Sequence, residues 1–401
     1  MRRISVFGLI AVMVVLTGIL AGCAPGVSDV DFSFTPGNAI SCSSAKSCLA
    51  VGTTTSQAGN PTATADAWNG RAWRRLTVPL PAGATGALTG VSCKGGSCLA
   101  IGYYFPQNES NSLGLAVAWN GKTLKAIPAA PPAGGENEQG AIDNVSCVSA
   151  KVCITMVAPM SGRPVIDTWN GHAWRARRAN DPGNVGQDLD TISCVSAKYC
   201  VFGGTAEPTE GSKTPVLAVW NGTTIKPMKT PTPAGTDVPT DYGPPVIYRV
   251  ACVSKTSCAA VGTYLTDSSA TTGFGFAEVL TGKTWKESTI KWPAGISLSM
   301  LFGLSCTSAT SCIATGTAGS ASGGIFATTV SYNGETWTPS ADPPEPAKGN
   351  SDYFADIACP TATRCVAAGQ VGPAPSFAPF SSASAIFGSW RGESWRLLTA
   401  K

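Results

Sequence analysis

The chain has 401 residues, 43% apolar and 13% charged, with a formal net charge of +4. It is long for one ordinary globular domain, and its single histidine leaves no histidine cluster for a metal. Fifteen cysteines set the other boundary, and their placement organises the whole chain.

In chain order, Arg2 and Arg3 precede the uncharged apolar stretch Ile4–Leu20, which reads as a processing signal. The ending Leu20-Ala21-Gly22-Cys23 resembles a bacterial lipobox. That resemblance implies a signal peptide over 1–22, lipid on Cys23 and a tether over 23–36. The alternatives are an ordinary signal peptide or an uncleaved membrane helix, for which 17 apolar residues are marginal. The expected location is the outer face of the cytoplasmic membrane or the cell surface.

The remaining cysteines form seven local pairs: Cys42/Cys48, Cys93/Cys98, Cys147/Cys153, Cys194/Cys200, Cys252/Cys258, Cys306/Cys312 and Cys359/Cys365. They recur at intervals of 51, 54, 47, 58, 54 and 53 residues. An exported chain meets oxidising conditions, so disulfides are expected within each pair. Zinc is the weaker reading, because each pair stands about fifty residues from the next and the chain has a single histidine. Each bridge closes a short loop worth only about 2 kcal/mol by loop entropy, and its expected task is to pin a hairpin.

One repeat is visible in Ala39–Leu76. Ile40-Ser41-Cys42 ends a first extended segment and Cys48-Leu49-Ala50-Val51-Gly52 begins a second. After a Thr/Ser/Gly/Pro stretch, Thr64–Trp68 runs into Asn69-Gly70, and Trp73–Leu76 follows. Asn-Gly between β-prone segments predicts a hairpin whose two turn residues both take positive φ. The dipeptide recurs at 120, 170, 221 and 333, with Thr281-Gly282 and Arg391-Gly392 in the two other repeats. Each repeat therefore reads as four antiparallel strands that need neighbours on both faces. Trp68, Trp119, Trp169, Trp220 and Trp390 share one repeat position. Inter-sheet packing is the expected role for them, and a sugar platform is the alternative.

The repeat resembles the disulfide-bearing propeller repeats of secreted actinobacterial proteins. Gly282-Lys283-Thr284-Trp285 and Gly334-Glu335-Thr336-Trp337 are similar to the tail of the sialidase-type Asp-box turn, which is a structural element. The resemblance, with the period near fifty, implies an all-β, seven-bladed β-propeller over 37–401. Four antiparallel strands and one disulfide are expected in every blade. Val30–Phe34 is a candidate extra strand at the closing seam.

Antiparallel order places the two tight turns of each repeat on one face, with the long, variable connections on the other. The tight turns carry Lys46, Lys94, Lys151, Lys198, Lys255 and Arg364, while acids such as Glu136, Asp241 and Asp352 gather in the long segments. Variable loops on a rigid scaffold are where binding sites usually sit, although they also serve as plain linkers. The ligand-binding candidates are aromatic and carboxylate groups placed there: Tyr103, Tyr104, Asp241, Tyr242, Tyr264, Asp352 and Tyr353. Loop packing is the competing role for each.

No catalytic constellation stands out. His172 sits in a turn that lacks histidine in the sister repeats, and no Gly-rich phosphate loop, G-x-S-x-G or H-E-x-x-H is present. No cofactor or metal is implied, and positive charge spread around a rim outside the cell does not suit nucleic acid. The expected protein is a monomeric, non-enzymatic, lipid-anchored scaffold for a protein partner. Carbohydrate binding is the first alternative. A sialidase-like glycoside hydrolase is the second, with Arg163 and Arg249 the only arginines near inner or long-loop positions.

Overall fold

The computed structural model describes residues 39–55, 60–109, 111–128, 144–157, 163–183, 185–186, 189–209, 212–233, 245–266, 272–320, 324–339, 350–373, 384–392 and 394–398. Cys23, the leader, the tether, Val30–Phe34, Asp241 and Tyr242 lie outside these residues.

Each cysteine pair opens a run of four strands. The first run is β1 (Ala39–Ser44), β2 (Ser47–Thr55), β3 (Pro61–Trp68) and β4 (Trp73–Leu76). The second is β5 (Thr85–Lys94), β6 (Ser97–Phe105), β7 (Leu113–Trp119) and β8 (Leu124–Ile127). Then come β9 (Val145–Ser149), β10 (Val152–Val157), β11 (Val165–Trp169) and β12 (Trp174–Arg178). Next are β13 (Leu189–Ser196), β14 (Tyr199–Thr209), β15 (Ser212–Trp220) and β16 (Ile225–Met228). They are followed by β17 (Val246–Ser254), β18 (Ser257–Leu265), β19 (Gly273–Thr281) and β20 (Thr284–Ser288). The chain continues with β21 (Leu298–Ser308), β22 (Ser311–Ser320), β23 (Gly324–Tyr332) and β24 (Trp337–Pro339). It ends with β25 (Asn350–Thr361), β26 (Arg364–Pro373), β27 (Ser384–Trp390) and β28 (Trp395–Leu398).

The expectation of seven blades is corrected by the hydrogen bonding. Five blades are separate four-stranded sheets, and β17–β24 form a single eight-stranded sheet. The fusion comes from one parallel bridge, Gly273 of β19 to Leu298 of β21. Gly273 N also donates to Ser297 O (3.3 Å), and Ser297 N donates to Gly319 O (3.1 Å). The first strands pack in succession, β1 on β5, β5 on β9, β9 on β13, β13 on β17, β17 on β21 and β21 on β25, and β25 returns to β1. The ring thus closes by packing, since both sheets at the seam are built from contiguous chain.

All seven cysteine pairs are disulfides, each joining the first two strands of its own run: Cys42–Cys48, Cys93–Cys98, Cys147–Cys153, Cys194–Cys200, Cys252–Cys258, Cys306–Cys312 and Cys359–Cys365. They pin their hairpins, the task expected of them, and they also fill the core. The second sulfur of each bridge is core rather than turn. Cys98 packs with Leu88 and Trp119, Cys153 with Val145 and Trp169, Cys200 with Phe202 and Trp220, and Cys365 with Phe354 and Trp395. Cys48, Cys258 and Cys312 are buried in the same manner. At that depth a disulfide sulfur is apolar filling between sheets, so Cys98, Cys153, Cys200 and Cys365 are structural positions that present no surface to a ligand.

The turn after the third strand differs from the two-residue form expected. Gly70, Gly121, Gly171, Gly222 and Gly334 have positive φ, but the asparagine before each does not. Trp68 pairs with Trp73 across a four-residue loop. Inside it, Asn69 Oδ1 accepts both Arg71 N and Ala72 N at 2.9 Å. The asparagine is selected for its side-chain acceptor, which satisfies two loop amides, and only the glycine needs the left-handed backbone. A Cβ on Gly70 would meet Lys46, and one on Gly222 would meet Lys198, so both tight turns do share one face.

A second recurring glycine lies inside the cysteine-led second strand. Bulges interrupt β5 at Thr89, β17 at Tyr248, β21 at Phe302 and β25 at Ala355. Opposite them stand Gly102, Gly262, Gly316 and Gly369. A Cβ there would lie 2.1 Å from Ala87 O, 1.9 Å from Val246 O, 1.8 Å from Met300 O and 1.9 Å from Tyr353 O respectively. Only glycine admits the bulge, and a bulge re-aims the residues around it.

Packing between sheets makes the core. Leu49, Ala65 and Val51 meet Leu88, Ala100 and Val117, and the seam buries Ile40, Ala50 and Trp68 against Val366, Ala368 and Phe387. Trp68, Trp119, Trp169 and Trp220 are buried in these layers. A belt of hydrogen bonds joins the inner strands. Cys93 N donates to Ser41 Oγ, Cys147 N to Ser92 Oγ, Cys194 N to Ser146 Oγ and Cys252 N to Ser193 Oγ, all at 2.9 Å. Cys359 N donates to Ser305 Oγ at 3.0 Å. The serine before each first cysteine is therefore an inter-sheet tie, and Ala251 and Ala358 break the series.

Candidate functional site

A bulge displaces the next residue from the plain register, and in two sheets that residue is charged. Arg249 comes after the bulge of β17 and Asp356 after that of β25. Asn144, just before β9, holds the same repeat position, third before its first cysteine. Inner strands on different sides of the ring thus deliver three polar side chains to one cluster. Arg249 Nη1 donates to Asn144 Oδ1 at 3.0 Å. Arg249 Nη2 lies 3.3 Å from Asp356 Oδ2. Asn144 Nδ2 in turn donates to Asp190 O on β13.

Asp356 also ties the seam. Its Oδ2 accepts Ile40 N at 3.1 Å, where Ala358 supplies no belt hydroxyl. Burial pushes the Asp356 carboxyl up, while Arg249 and the amides of Ile40 and Ile357 pull it back. Arg249 Nε is buried with no hydrogen-bond partner, and its side chain keeps 22% exposure. The guanidinium is therefore fixed in place with donor capacity in reserve.

Beside it runs a row of aromatic rings. Tyr248 meets Phe302 edge-on at 5.6 Å, and Phe302 meets Tyr353 edge-on at 6.0 Å. Such T-shaped contacts match ring edges to ring faces. Burial, with the charge of Asp190, pushes the Tyr248 phenol up to about 12. Burial alone takes Tyr353 to about 12. Both stay neutral hydroxyls at any ordinary pH. Asp190 itself is exposed.

The residues chosen from sequence are dispersed. Tyr103 and Tyr104 lie on β6 rather than in a loop, Tyr103 edge-on to Phe105 at 5.6 Å and Tyr104 against the core of the first two sheets. Tyr264 lies on β18 beside Phe274 and Phe276, and burial with Glu287 raises its phenol. Asp352 lies on β25, is buried, and accepts Ala327 N at 2.9 Å, a tie between sheets. Tyr353 alone joins the aromatic row by the Arg249 cluster. Asn144, Asp190, Tyr248, Phe302 and Asp356 were missed. The signal for three of the cluster's groups was present: aligning the position third before each first cysteine gives Ala39, Gly90, Asn144, Thr191, Arg249, Gly303 and Asp356. Polar groups there break an otherwise mostly small-residue register.

The fold defines the class: an all-β β-propeller. No protein-family model matches the chain, and no curated protein matches it. Among solved structures, "YCF48 bound to D1 peptide" is similar at TM-score 0.50 and 12% identity, over 84% of this chain and 89% of that one. The β-propeller domain of the trilobed protease from Pyrococcus furiosus gives TM-score 0.49 and 9% identity, over 90% and 98%. Trypanosoma rangeli sialidase gives 0.48 and 9%, over 89% of this chain and 53% of that one. At such identities the likeness is one of fold.

Proposed function

We propose that this protein is a lipid-anchored envelope scaffold whose propeller receives a segment of a protein partner at the Arg249 cluster. The observation that carries the reading is the guanidinium itself. Groups from several inner strands hold it, its buried Nε is unpaired, and an aromatic row lies alongside. A rigid cation next to aromatic surface suits a carboxylate-bearing peptide: the charge orients it and the rings supply apolar area. One solved structure of similar fold, YCF48, is bound to a peptide, which is compatible with this use of the fold. The reading assigns no reaction to the cluster, because Asp356 is already engaged by Arg249 and Ile40 N.

The test is photo-crosslinking in the native cell with a probe residue at exposed Asp190 and a control at Lys198 on the tight-turn face. A defined protein adduct at 190, absent at 198 and lost on adding Arg249→Met, is the expected result. Absence of any adduct, with the purified protein retained on envelope polysaccharide, would replace the reading by carbohydrate binding. Turnover of chromogenic glycosides would replace it by hydrolysis.

A further inference from the structure

Six of the seven turns between a first and a second strand carry an exposed cation: Lys46, Lys94, Lys151, Lys198, Lys255 and Arg364. Turn geometry does not select them. The charge stands one place before the second cysteine at Arg364, two at Lys46, three at Lys255 and four at Lys94. Among the described residues none of the six is in an ion pair. Several are braced. The stems of Lys46, Lys151 and Lys198 rest on Gly70, Gly171 and Gly222 of the other tight turn of the same run. Lys255 Nζ lies 5.4 Å from the centre of the Tyr199 ring, and Tyr199 Oη donates to Lys255 O at 2.9 Å. The run β21–β24 departs from this pattern: Gly334 rests on Thr310, and the next residue, Glu335, is exposed.

The packing order around the ring sets Arg364 beside the turn of Lys46, followed by those of Lys94, Lys151, Lys198 and Lys255. Packed sheets lie about 10 Å apart, which is about one Debye length at physiological salt. Neighbouring cations therefore merge into one continuous positive band. Arg71, Lys122, Lys283 and Arg391, exposed in the second tight turns, carry the same sign. The whole chain has a net charge of only +4, so this face is far more basic than the molecule. Thr310 and Glu335 interrupt the band at one place only. It is an open arc with two ends, about 50 Å along its five steps.

We propose that this arc is a second binding surface, for a linear polymer bearing repeated phosphates. Lysine ammonium groups act on phosphate as point charges and demand no fork geometry, so evenly spaced lysines suit a chain of evenly spaced anions. An arc with two ends accommodates a strand that enters, follows the turns and leaves. The chain direction sets the bilayer aside as the occupant. β1 runs from the long-loop face into its tight turn, so the residues before Ala39 join the disc on the long-loop side. Lipid on Cys23, as proposed above, holds that side to the membrane, and the arc looks away from it. Only this choice of polymer over bilayer rests on the anchor, and the arc is independent of the Arg249 cluster.

The probe is linear polyphosphate long enough to span the arc, titrated into the purified full chain, with lysine acetylation read by mass spectrometry. Six phosphate contacts give affinity a log–log salt slope of about −4. Acetylation of Lys94, Lys151 and Lys198 should slow at least five-fold, while Lys226 and Lys286 on the outermost strands stay unchanged. Lys151→Ala with Lys198→Ala should lower affinity about ten-fold and bring the slope to about −3. Lys226→Ala with Lys286→Ala removes the same charge and should leave affinity unchanged. Arg249→Met should also leave it unchanged, so this test and the crosslinking test fail separately. Equal losses in the two double variants, or tripolyphosphate binding as tightly as the long polymer, would overturn the proposal. So would polygalacturonate matching polyphosphate, or protection of Lys151 and Lys198 by phosphatidylglycerol vesicles but not by phosphatidylcholine vesicles.

Discussion

Glu278 should make the stability of this protein fall as pH rises. The residue sits on β19, between Ala260 of β18 and Glu287 of β20. It shares a face with Phe276 and Leu280, which pack against Val201 and Leu217 of the preceding sheet. Both carboxyl oxygens are buried and have no hydrogen-bond partner. Burial, then the like charge of Glu287, pushes the group from 4.5 to about 8. The folded form thus holds a proton that the unfolded form releases near 4.5. Stability attached to that proton is full below 4.5, declines as pH rises, and is gone above about 8. At about 1.4 kcal/mol for each pH unit of that window, the loss is on the order of 4–5 kcal/mol. Urea unfolding at half-unit steps from pH 4 to 9.5 measures it. Glu278→Gln, which mimics the protonated acid, should match wild type near pH 4 and exceed it by that amount at pH 9. A constant gap between the two proteins across the window would refute the reasoning.

Asp167 holds the equivalent place on β11 opposite Ala176, with both oxygens unpaired, and burial takes it from 3.8 to about 6. Asp167→Asn should flatten a smaller decline between those values, read by the same denaturation series. Asp66, also equivalent, lies opposite Arg75, whose Nε is 2.7 Å from its Oδ1. Arg75→Ala should cost about 1–3 kcal/mol by leaving that carboxylate unpaired, and Asp66→Asn should recover part of it in a double-mutant cycle. Ser193→Ala removes one belt bond and should cost about 1 kcal/mol in urea midpoint, whereas Gly316→Ala should cost more than 3 kcal/mol or prevent folding, since its Cβ would enter Met300 O. Mass analysis of protein purified from membranes should show chains beginning at a lipid-modified Cys23; an unmodified Cys23 would remove the anchor from the proposed function.

The two tight hairpins of each repeat were written plainly in the sequence, because a cysteine pair or a glycine turn specifies each of them locally. What escaped depended on relations between repeats. The depth of Cys98, Cys153, Cys200 and Cys365 is one such relation, since a neighbouring sheet must cover each sulfur. The fused eight-stranded sheet turns on one bridge, Gly273 to Leu298, between residues of two different repeats. The asparagine turns misled because Asn-Gly serves two geometries, and a two-residue reading ignores the side-chain acceptor at Asn69. Tyr103 and Tyr264 were placed in loops because their strands run past the small-residue segments that mark the strand starts, and Tyr353 because β25 begins well before its cysteine. Arg249 and Asp356 were visible as residues, yet their meeting requires inner strands far apart in sequence to curve around one ring. Pattern within a repeat was legible; chemistry made by several repeats together was not.

The disulfides carry a consequence for how the molecule is made. Each joins residues only five or six positions apart, and none bridges two sheets. As the chain emerges from a ribosome or a translocation pore at about 5–20 residues per second, one cysteine pair appears every few seconds. Its partner is already out, and the next competitor is about fifty residues behind. Correct pairing follows from the order of emergence alone, without reshuffling of mismatched bonds. Only the final event, the docking of β25 on β1, must wait for the last sheet, so closing the ring is the checkpoint of assembly.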